Sequence, residues 1–71
     1  MTKQERAADC ADFAMAAHRV ATATPSTEPE ETSVIDLLAD LMHYAKIRDV
    51  DFSDALRIAR VHFDEEEAID E

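Results

Sequence analysis

Apolar side chains recur at helical spacing along the second half of the chain. Val34, Leu37, Leu38, Leu41, Met42, Tyr44 and Ala45 share one broad face, with Asp36, Asp40 and His43 on the other side. Ser33 is a suitable N-cap for this helix, with Asp36 three residues on in the position of the capping-box acid. A second stripe follows at Phe52, Ala55, Leu56, Ala59 and Phe63, flanked by Ile58 and Val61 and capped by Asp51 or Ser53. Only Arg48-Asp49-Val50 separates the two stripes, and so short a connection predicts antiparallel neighbours. The pattern therefore predicts a helical hairpin over residues 33–66. One face of Val34–Ile47 is expected to be buried against one face of Phe52–Phe63.

Upstream, the chain from Gln4 to Thr22 is dominated by alanine, the strongest helix former. Cys10, Phe13, Ala14, Ala17 and Val20 make a narrow apolar stripe there, so residues 1–22 are predicted to hold an N-terminal helix. Residues 23–32, ATPSTEPEET, have linker composition and contain both prolines. The acids from Asp64 onward oppose the dipole at a helix C-terminus, which predicts fraying and leaves residues 67–71 as an acidic tail. The chain has no glycine, which disfavours turns at positive φ and gives strands little support. The expected fold is all-α: an alanine-rich helix, then a hairpin. The apolar face of the middle helix is wider than one neighbour covers, and the first helix has only a thin stripe. A homodimeric bundle is therefore expected, with Phe13, Ala17, Val20, Met42, Tyr44, Ile58 and Val61 as contacts to a second copy or a partner helix.

A chain of 71 residues is one domain at most, and at that size a single core is marginal without a disulfide, a metal or a partner. The single cysteine, Cys10, excludes an internal disulfide and is expected to be a small buried thiol. A lone free cysteine, with no signal-peptide core and no run able to span a bilayer, points to the cytoplasm.

Charge changes the picture further. The formal net charge is -10. Residues 1–22 are neutral, with Lys3, Arg6 and Arg19 against Glu5, Asp9 and Asp12. The negative charge gathers in two runs, Glu28, Glu30 and Glu31 in the linker and Asp64, Glu65, Glu66 and Glu67 near the C-terminus. Such a chain is repelled by a phosphate backbone and attracted to a cationic protein surface. The seven acids are the candidate docking residues for a protein with a basic surface; the alternative is that both runs are disordered and serve solubility.

Chemistry-bearing patterns are few. Ser26, Ser33 and Ser53 are accounted for as linker or caps, and Cys10 has no histidine at helical spacing. Without glycine there is no phosphate-cradling loop and no nucleophile elbow, so the chain is not expected to be an enzyme or to hold a cofactor. Asp36, Asp40 and His43 share a helix face, and His62 precedes Glu66 by one turn, spacings at which a metal can be held. A solvated polar face looks the same, and no metal is expected. His18 is expected at the surface or a helix contact. Arg57 and Arg60 lie among acids and make no basic stripe, which argues against DNA binding, and the acidic polar faces argue against a membrane-surface helix.

The stretch Ile35-Asp36-Leu37-Leu38-Ala39-Asp40-Leu41-Met42-His43-Tyr44, with Val50-Asp51-Phe52, Ala55-Leu56, Ala59-Arg60 and His62-Phe63, resembles a group of small uncharacterised acidic helical proteins. These are encoded by phages, prophages and other mobile elements of proteobacteria. The resemblance spans about residues 34–66 and carries no active residues across. It implies a bacterial-host setting, where many tiny acidic proteins inhibit host machinery, restriction and CRISPR systems included. The expected function is thus a small acidic interaction module, an inhibitor of a host nucleic-acid-handling or defence protein. The alternatives are a regulator or assembly factor that binds a partner helix in an apolar groove and, last, a metal-dependent activity.

Overall fold

A computed structural model describes residues 1–68. They form three helices and no strand: α1 (Lys3–Thr22), α2 (Glu30–Ile47) and α3 (Phe52–Glu67).

Each helix starts and stops for a local reason. Thr2 opens α1 with a capping box: its hydroxyl accepts from the Glu5 N–H at 3.1 Å, and the Glu5 carboxylate accepts from the Thr2 N–H at 3.1 Å. Asp51 opens α3 by accepting the Asp54 N–H at 3.0 Å, as the sequence predicts. α2 starts three residues before the expected cap. Pro29 is the N-cap residue, Glu30 and Glu31 occupy the first turn, and Ser33 lies inside the helix, bonded through its N–H to the Pro29 carbonyl at 3.2 Å. Two acids facing the positive end of the helix dipole favour this earlier start, and Ser33 is thereby freed from capping.

The C-terminal stops of α1 and α2 each use a residue in the left-handed region, although the chain has no glycine. After α1, Ala23 has φ 55°, its N–H donates to Val20 and that of Thr24 donates to Arg19. After α2, Asp49 has φ 58°, its N–H donates to Lys46 and that of Val50 donates to Ala45. Both are Schellman motifs. The expectation that a glycine-free chain avoids positive φ is thus corrected: the bonds to the last carbonyls outweigh the steric cost at these two positions.

The helices do not enclose an interior. Among the described residues Ala45 is the one apolar side chain that is buried. Leu37, Phe52 and Met15 are half-buried, while Leu56 and Phe63 remain 53% and 54% exposed. The expected burial of Val34–Ile47 against Phe52–Phe63 is therefore not achieved within one chain. Shape gives the reason. The molecule measures 37 × 32 × 16 Å, so two of its dimensions match the roughly 30 Å length of a twenty-residue helix. Each pair of helices touches at few residues, and their faces stay largely open. The radius of gyration, 13.9 Å, exceeds the roughly 11 Å expected of a compact chain this long.

α1 also packs by a different face from the one its largest residues suggest. Gln4, Met15, His18 and Arg19 are half-buried on α1, while Ala8 and Ala11 border recesses and stay exposed. The predicted stripe of Cys10, Phe13, Ala14, Ala17 and Val20 faces outward, with Phe13 81% and Val20 83% exposed. Cys10 is accordingly exposed and not the buried thiol expected.

Candidate interaction surface

Polar contacts among the described residues help to hold α1 in place. The Gln4 amide donates to the Glu66 carbonyl at 2.8 Å and so satisfies a carbonyl in the last turn of α3. His18 Nε2 meets the Asp40 carboxylate at 2.6 Å, joining α1 to α2. Arg19 Nε donates to the Ser33 hydroxyl at 3.4 Å, and Ser33 is 98% buried there. Each of these pairs lies far apart in sequence, so the pattern names none of the partners, although it places His18 at the surface or a helix contact. Asp40 is thereby engaged by His18. Among the described residues no cluster of three or more His, Cys, Asp or Glu side chains is placed to hold a metal ion.

Two recesses border α1. One is lined by Ala8, Ala11, Asp12, Met15, Arg19, Glu30 and Val34. The other is lined by Gln4, Ala7, Ala8, Ala11, Phe63, Glu66 and Glu67. Ala8 and Ala11 belong to both, so members of the two acidic runs, distant in sequence, border the same stretch of α1. Most of the run residues are ordered in helices: Glu30 and Glu31 in the first turn of α2, and Asp64 to Glu67 at the end of α3. α3 extends to Glu67, the first residue of the expected tail, and residues 69–71 lie outside the described residues.

The seven acids are not equivalent. Glu30, Glu31, Glu65 and Glu67 are exposed. Glu66 is half-buried beside α1, and Asp64 accepts from Arg60 at 3.3 Å. Glu28 is half-buried in the loop, where its N–H closes a turn onto the Pro25 carbonyl at 3.1 Å. The arginines of α3 pair with acids on their own helix, Arg57 with Asp54 at 2.8 Å and Arg60 with Asp64. That is the alternative to DNA contact that the sequence favours. Arg60 also lies over the Phe63 ring, and Arg48 over the Tyr44 ring.

The apolar contact candidates are all accessible. Phe13, Ala17, Val20, Met42, Tyr44, Ile58 and Val61 are exposed. Of these, Met42 lines a third, shallow recess on α2 with Ala39, His43 and Lys46. Among the described residues no helix is long and apolar enough to cross a membrane. No protein-family model matches the chain, and neither a curated protein nor a solved structure is significantly similar to it.

Proposed function

We propose that the chain is a small acidic protein-interaction module that docks on a protein with a basic surface. The observation that carries this reading is that Glu30 of one acidic run and Glu66 and Glu67 of the other line two recesses that share Ala8 and Ala11 of α1. Carboxylates fixed on helices present a patterned anionic surface, whereas the same acids in coil would only aid solubility. The setting that fits is inhibition of a host nucleic-acid-handling or defence protein by a phage or mobile-element product, in the bacterial cytoplasm and without catalysis. The resemblance of residues 34–66 to small mobile-element proteins and the charge of -10 support it. In the working form α2 and α3 run as an antiparallel hairpin, with the acids at the start of α2 and the end of α3 side by side.

The experiment is capture of basic proteins from a bacterial lysate by the intact chain, compared with a variant carrying Glu30→Lys, Glu31→Lys, Glu65→Lys and Glu67→Lys. The expected result is a captured species that is lost on reversal and released by moderate salt. Capture indifferent to both contradicts the electrostatic reading. A second reading is favoured by the recess at Ala39, Met42, His43 and Lys46: an apolar partner helix seated on α2. Binding of that kind tolerates salt and is weakened by Met42→Glu.

A further inference from the structure

We propose that a second copy of this chain covers the outward face of α1, in an antiparallel α1–α1′ pairing centred on residue 15. The inference does not depend on the identity of any basic partner.

Area comes first. The chain exposes 5925 Å² of accessible surface. A compact monomer of 8.0 kDa exposes about 4,450 Å². The surplus, about 1,500 Å² per chain, is spread over all three helices, and the outward face of α1, with Phe13 81% and Val20 83% exposed, contributes part of it.

Charge selects the occupant. Residues 1–22 carry three basic and three acidic side chains, so two α1 helices meet without net repulsion. A cationic protein is drawn instead to the acids at the start of α2 and the end of α3.

The stripe itself supplies the register. Cys10, Phe13, Ala17 and Val20 follow one another at intervals of three, four and three, the seam spacing of paired helices. Large and small residues alternate along it. An antiparallel pair centred on residue 15 sets Phe13 against Ala17 of the other copy and Val20 against Cys10 of the other copy. Both pairs share that centre, so each large side chain meets a small one and the contact obeys two-fold symmetry.

The test needs two measurements on the full chain. Light scattering at tens of micromolar is expected to give twice the 8.0 kDa chain mass, and Phe13→Glu is expected to return it to the single-chain value. A helical wild-type protein of single-chain mass at hundreds of micromolar overturns the proposal. The register is read from cross-linking in variants that keep the charge of the face. Val20→Cys places a second thiol where Cys10 of the other copy is expected, and under mild oxidation it should form a covalent dimer at least ten times faster than Ala16→Cys, whose thiol lies off the stripe. Within one helix positions 10 and 20 are about 15 Å apart, too far for an internal disulfide. Equal rates for the two variants overturn the pairing even if the protein is dimeric.

Discussion

At the residue scale, two non-glycine positions carry the helix ends. Ala23 at φ 55° places its Cβ against the backbone, a clash that glycine lacks. Ala23→Gly is expected to stabilise the chain by about 0.5–1 kcal/mol, less the entropy glycine adds to the unfolded state, and thermal unfolding checks the sign. Asp49→Gly is expected to do less, because aspartate tolerates this conformation better than alanine. The caps act in the opposite sense: Asp51→Ala is expected to cost about 1 kcal/mol through loss of the bond to the Asp54 N–H. The Asp51 cap was legible in the sequence because an acid before an apolar run is a local signal. The equally local Thr2–Glu5 pair can be read the same way, whereas the buried role of Ser33 cannot. A serine before Val34 suits a cap and a close helix contact alike, and only the approach of Arg19 from α1 decides between them.

At the element scale, three helices were legible from periodicity, and α1 and α3 end within a few residues of expectation. Periodicity reports how apolar residues are spaced and is silent on which stripe meets a neighbour. On α1, Gln4, Met15, His18 and Arg19 are half-buried, while Phe13 and Val20 remain 81% and 83% exposed. The candidate acids were readable as runs, but the recesses that Glu30, Glu66 and Glu67 line beside Ala8 and Ala11 were not, since they depend on where α1 lies relative to the ends of α2 and α3. His18 and Asp40 hold that placement at 2.6 Å. His18→Ala is expected to lower stability by about 0.5–1.5 kcal/mol and to increase hydrogen exchange in α1 more than in α3. Uniform exchange across all three helices would show that the contact does not position α1.

At the scale of the whole molecule, the chain separates two kinds of surface. Its apolar faces stay largely open because each pair of helices touches at few residues, and its acids lie mostly on helix ends beyond the neutral α1. A protein built this way is expected to gain stability by association, since burial of Phe13 and Val20, 81% and 83% exposed, requires a surface that one chain does not supply. The measurement that reaches this claim most directly is thermal unfolding by circular dichroism, from low micromolar to hundreds of micromolar protein. If association completes the core, the midpoint rises steadily with concentration. A sharp, cooperative transition at one unchanging temperature would mean that a single chain is already fully folded, and would contradict the account.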